Sequence, residues 1–129
     1  MEKKRSPVQV YAIIINVVAV VTLLICLSNL IFSAIDRSDP LYAGRSEVNL
    51  SSFENFKMDV LKEVKSDQAY IPDDATIQKM FDSAVEDKVK RTLHTANRNI
   101  MVNSIIGGIA LLLFLVHWVI LKRSAGNNS

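Results

Sequence analysis

The chain has 129 residues, half of them hydrophobic and 22% charged, with fifteen basic against thirteen acidic side chains and a net charge of +2. The apolar residues gather in two blocks, about 10–35 and 100–121, around a polar stretch; that distribution excludes both a simple soluble domain and a disordered chain. One cysteine excludes an internal disulfide framework, and two histidines and four glycines leave little material for metal centres or glycine-rich phosphate loops.

Residues 1–9 carry the basic cluster Lys3, Lys4 and Arg5. From Val8 to Ile35 no side chain is ionised at neutral pH. A helix needs about 20 apolar residues to cross the hydrocarbon, so the run predicts a transmembrane helix over 10–35. A secretory signal would share the basic start, but its apolar core spans only about 7–15 residues and ends in a small-x-small site. Phe32 stands where cleavage after Ala34 would require a small residue, so an uncleaved anchor is expected.

Residues 36–99 read as an extracytoplasmic helical segment. Pro40 and Gly44 break the first helix. Ser51 and Glu54 have capping-box spacing, in which each side chain satisfies the other's free backbone N–H. Phe53, Phe56, Val60 and Val64 then recur at three- and four-residue steps opposite Lys57, Asp59, Lys62 and Lys65, predicting an amphipathic helix over about 52–66. Pro72 suits a second helix start, and Asp73 and Asp74 put negative charge at its positive end. No proline follows. The stripe Ile77, Phe81, Ala84, Val85, Val89, Leu93 and Ala96 predicts a helix over 74–99 that continues into the second membrane segment, about 50 residues in all. Glu86 to Lys90 and Asp87 to Arg91 are acid-first i,i+4 pairs, the favourable order. Two amphipathic helices close only a small core, so Phe53, Phe56, Val60, Phe81 and Val85 are candidates for binding a partner.

The second apolar block, 100–121, ends at Lys122 and Arg123 and is followed by a short tail, 122–129. Its two glycines suit a membrane helix, where neighbours approach closely. Five cations occupy the two short flanks. The central segment holds ten cations and twelve acids over 64 residues, and long segments translocate with little regard to charge. Both termini are therefore expected in the cytoplasm, with Tyr11, Trp118, Lys122 and Arg123 as anchors at that interface.

Inside the membrane segments the polar and small residues carry most information. Ala12, Ala19, Thr22, Cys26, Asn29 and Ser33 share one face of the first helix. Asn103, Gly107, Ala110, Phe114 and His117 share one face of the second. Small and hydrogen-bonding stripes are what a helix seam in lipid uses in place of hydrophobicity, so the two faces are expected to meet, within one chain or between copies. Ser104 and Gly108, with Gly107, form a small-xxx-small patch. In an antiparallel pair Asn16, about 9 Å inward from Val10, and His117, about 6 Å inward from Leu121, reach similar depth. The depth match predicts hydrogen bonds between Asn16 and His117 and between Asn29 and Asn103, and hence non-additive effects of Asn16→Leu and His117→Leu. Cys26 is expected to be an unreactive small residue of the seam.

The whole is thus predicted to be all-α: a two-pass transmembrane helical hairpin whose second span is continuous with a long amphipathic helix. The stretches LFLVHWVILKR and SSFENFKMDVLKEV resemble a family of small bacterial two-span membrane proteins, and the resemblance implies a bacterial inner-membrane setting without any activity or site residue. No nucleophile, metal-ligand set, cofactor loop or small-molecule site is discernible, and interleaved charges argue against nucleic acid. Asn49-Leu50-Ser51 is a glycosylation sequon only in a eukaryotic lumenal setting. The expected role is non-catalytic: an accessory or scaffold subunit in the lipid bilayer, through self-association or within a larger membrane complex. The alternative is a homo-oligomeric channel lined by Thr22, Asn29 and Ser33.

Overall fold

The computed structural model describes residues 5–44, 50–67 and 70–126. Among them it holds three helices and no strand: α1 Pro7–Ser38, α2 Phe53–Asp67 and α3 Asp74–Gly126. Lys3 and Lys4 of the basic cluster and Asn49 of the sequon lie outside the described residues. Both α1 and α3 are long and apolar enough to cross a membrane.

Each helix starts at a cap written into the sequence. Ser6 and Gln9 form a reciprocal capping box, Gln9 N–H to Ser6 Oγ at 3.3 Å and Ser6 N–H to Gln9 Oε1 at 3.1 Å. Pro7 occupies the first helical position, where a missing N–H costs nothing. The Asp39 amide bonds the Ile35 carbonyl at 3.1 Å as α1 ends, and the chain then turns through Pro40 to Gly44, whose φ of 68° lies in the left-handed region that glycine tolerates.

Where the sequence pattern names Ser51 as the cap of α2, the structure gives that role to Ser52, whose Oγ accepts the Asn55 N–H at 3.2 Å. The two serines are equivalent by type. Leu50, just ahead of the helix, is buried in one cluster with Phe56. At α3 the cap is Asp73, with Pro72 ahead of it rather than inside the first turn. Asp73 Oδ1 accepts from the Thr76 amide at 3.1 Å and from the Thr76 hydroxyl. These bonds, the hydroxyl first, hold its carboxyl below the ordinary value of 3.8.

The chain divides into two compact units, residues 1–32 with 99–129, and residues 33–98. In the second unit, Leu50, Phe56 and Ile77 form a buried cluster, with Leu41, Phe53, Val60, Leu61, Phe81, Ala84 and Val85 packed around it. Phe81 receives both phenylalanines of α2, Phe53 edge-on at 5.9 Å and Phe56 tilted at 5.5 Å between ring centroids. A Lys57–Asp74 ion pair at 2.8 Å ties the start of α3 to α2. Along α3, Glu86–Lys90 and Asp87–Arg91 pair at 2.5 and 2.9 Å.

Candidate functional site

The predicted packing residues fall on helix faces with a seven-residue beat. On α1, Ala12, Ala19, Cys26 and Ser33 are buried, each seven residues after the last, and Asn16 is buried on the same face. On α3, Ala96, Ala110 and His117 are buried, with Asn103 half-buried at the intervening heptad position. A sustained seven-residue repeat is the sequence form of a left-handed helix pair, here with small side chains at the seam in place of leucine.

Within the first unit the cross-contacts run in opposite order along the two helices. Tyr11 meets His117 at 5.6 Å between ring centroids, Cys26 faces Gly107, and the Asn29 amide donates to Asn103 Oδ1 at 3.1 Å. Asn103 in turn donates to the Asn99 carbonyl at 2.8 Å, so its amide is engaged on both sides. A Cβ on Gly107 would lie 3.5 Å from that of Cys26, whereas one on Gly108 would meet nothing within 4 Å. The glycine pair is therefore split: Gly107 belongs to the seam, and Gly108 and Ser104 are exposed. Thr22 is half-buried and returns its hydroxyl to the Val18 carbonyl at 2.9 Å. Phe114 is half-buried and stacks on the exposed Trp118 at 5.9 Å. Tyr11, Lys122 and Arg123 are exposed.

The predicted Asn16–His117 hydrogen bond is not formed. His117 uses Nδ1 on the Leu113 carbonyl at 2.8 Å, one turn back on its own helix. A carbonyl can only accept, so Nδ1 is the donor in that contact. Asn16 Oδ1 stands buried without a hydrogen-bond partner. Similar depth brings two residues level with each other but does not direct one side chain at the other, and His117 turns Nδ1 to its own helix.

Of the partner-binding candidates, Phe56 is buried, and Phe53, Val60, Phe81 and Val85 are half-buried around the α2–α3 cluster. The large apolar side chains left exposed among the described residues of that unit are others, Ile35, Tyr42, Met58, Tyr70, Ile71 and Met80. Their positions break the three-and-four periodicity, so a search for amphipathic stripes passes over them. Among the described residues no three of His, Cys, Asp and Glu come together as a metal-ligand group. No protein-family model, curated protein or solved structure matches this chain.

Proposed function

We propose that the chain is an integral membrane protein in which α1 and α3 cross the bilayer as an antiparallel pair with both termini cytoplasmic, and that it serves as a non-catalytic accessory or scaffold subunit. The observation that carries the membrane reading is the inverted distribution of side chains in the first unit. Small and polar residues face inward while Ile14, Val17, Leu24, Phe32, Ile105, Leu112 and Val116 are exposed. Only 22% and 11% of the most apolar stretches of α1 and α3 are buried, the opposite of what a core helix in water requires. Lipid is the solvent in which that surface is stable. Engagement of Asn29, Cys26 and Tyr11 by α3 favours a retained anchor over a cleaved signal.

The accessory role is supported by what the second unit offers. Its helices are capped and cross-packed, and its exposed Tyr70, Ile71 and Met58 suit protein contact better than chemistry. A bacterial inner-membrane location rests on the resemblance carried by LFLVHWVILKR and SSFENFKMDVLKEV alone.

Topology is tested by cysteine labelling with a membrane-impermeant maleimide on a Cys26→Ala background. Met58→Cys should label in intact cells, and Ser124→Cys only after permeabilisation. The reverse pattern would overturn the orientation. Extraction at native abundance in mild detergent, followed by native mass spectrometry, tests the role. Fixed-stoichiometry co-purification with a different membrane protein is the expected result; a ladder of 14.4 kDa copies alone would overturn it in favour of self-assembly.

A further inference from the structure

Within the second unit a cleft of about 280 Å³ opens between the turn that follows α1 and the middle of α3. Lys88, Arg91, Thr92 and Thr95 line it from α3, at the three- and four-residue steps that put them on one helix face, and Asp36 lines it from the end of α1. Lys88 and Arg91 against Asp36 leave the lining with a net positive charge. Both cations are held in place with donors to spare. The Lys88 ammonium donates to the Ala43 carbonyl at 2.7 Å, and Arg91 gives Nε to Asp87 at 2.9 Å and keeps its other N–H groups. Among the described residues the Thr92 and Thr95 hydroxyls and the Asp36 carboxylate have no hydrogen-bond partner. Thr22 and Ser28, by contrast, return their hydroxyls to carbonyls of their own helix.

We infer that this cleft binds hydrogen phosphate from the water phase, its charged oxygens on Lys88, Arg91 and the threonine hydroxyls and its P–OH donating to Asp36. Three features select this ligand. The first is the surplus of donors and of positive charge, which calls for an oxyanion; guanidinium and ammonium groups make strong, charge-assisted hydrogen bonds to phosphate oxygens. The second is Asp36. An ionised carboxylate only accepts, so an anion beside it must bring a proton of its own. Phosphate keeps a proton at neutral pH, whereas sulfate, of the same shape, has none. The third is place. Arg91 and Lys88 precede Ile100 by nine and twelve residues, which is about 14 and 18 Å along a helix. The headgroup layer beyond the hydrocarbon is only about 5–8 Å deep on each side, so the cations meet a ligand from water and not a lipid phosphate.

The site goes beyond the subunit role, and its test does not require that role to hold. The full chain in maltoside micelles at neutral pH is titrated calorimetrically with sodium phosphate and, separately, with sodium sulfate at matched ionic strength. Phosphate should bind saturably, one per chain, and sulfate at least about tenfold more weakly, the worth of roughly one charge-assisted hydrogen bond. Arg91→Gln keeps the Lys88 tether and should weaken phosphate about tenfold, and Thr95→Val about threefold, with helical circular dichroism unchanged in both. Asp36→Asn puts a group that can donate where only an acceptor stood, so sulfate affinity should rise until the two anions bind alike. That change is a gain, which damage to the fold does not produce. Absence of saturable phosphate binding, equal affinity of the unaltered chain for the two anions, or undiminished discrimination in Asp36→Asn would overturn the site. Displacement of free phosphate by an equal concentration of phosphatidic acid, which carries the same group on a lipid, would overturn water as its source.

Discussion

Asn16 and Asn29 are the same residue type on the same helix, and the structure gives them opposite energetic roles. Asn29 is bonded across the seam, and Asn16 buries an acceptor with no partner. Asn29→Ala should therefore destabilise the helix pair by about 0.6 kcal/mol, rising towards about 2 if Asn103 is left unsatisfied. Asn16→Ala should instead be neutral or stabilising by up to about 1 kcal/mol, since it removes an unmet acceptor. Unfolding in mixed micelles measures both, and equal losses would contradict these roles. The double-mutant cycle for Asn29 and Asn103 should show the larger coupling, with that for Asn16 and His117 smaller because no hydrogen bond joins them. The glycines divide in the same way. Gly107→Ala should be tolerated because its Cβ meets Cys26 at ordinary contact distance, but Gly107→Leu should cost about 1–3 kcal/mol by overpacking. Gly108→Leu should cost little in the same assay. The sequence shows the small residues but not their fates, because a hydrogen bond depends on rotamer and donor direction, and adjacent helix positions differ by about 100° of rotation.

At the scale of elements, α2 and α3 are joined through a small hydrophobic cluster whose centre, Ile77, is fully buried. Ile77→Ala should cost about 2–5 kcal/mol and Phe56→Ala about 3–5 kcal/mol. Such losses are large for so small a core, so hydrogen exchange across 53–67 should rise steeply in either variant. Unchanged protection there would mean that the cluster does not hold the unit together. Ser52→Ala should lower the stability of α2 by about 1 kcal/mol, read as faster amide exchange at Asn55 and Phe56. Helix existence was legible here from periodicity. The cap was not, because two adjacent serines offer the same hydroxyl, and the Asn55 amide bonded to Ser52 is what identifies it. The start of α1 is the converse case. Ser6, Pro7 and Gln9 spell a cap outright, in the shadow of the apolar run that follows.

At the scale of the whole molecule, four groups of the second unit, Lys57, Asp73, Glu86 and Lys90, have shifted pKa values, which gives that unit a pH window. Hydrogen bonds from Thr76 to Asp73 and from Lys90 to Glu86 hold those carboxyls below their ordinary values of 3.8 and 4.5. A carboxyl whose folded pKa is depressed stabilises the fold above its unfolded value, and that contribution is lost as pH falls through the folded one. Lys57 and Lys90 are shifted the other way, above 10.5, by bonds to Asp74 and Glu86. Their contribution is complete below the unfolded pKa and lost as pH rises through the folded one. Exchange protection in residues 53–93 should therefore be flat from about pH 5 to 9 and fall outside that range, while the apolar stretches of α1 and α3 remain protected. Loss of both sets together on acidification would contradict the division into separately packed units. Asp73, Glu86 and Lys90 are exposed and Lys57 is half-buried, so the decline should be shallow and weaken with salt.

By itself the sequence determined that the chain is helical, that two helices are long and apolar enough for a membrane, and that small residues repeat every seven along them. Each of these follows from composition and period, which every conformation of the chain carries. Tertiary structure decided which amide of two finds a partner, which glycine of two lies in the seam, which serine caps α2, and that Asp36, Lys88, Arg91, Thr92 and Thr95 line one cleft although Asp36 lies more than fifty residues from the others. Those outcomes depend on directions and distances between segments far apart along the chain, and the local pattern leaves them free.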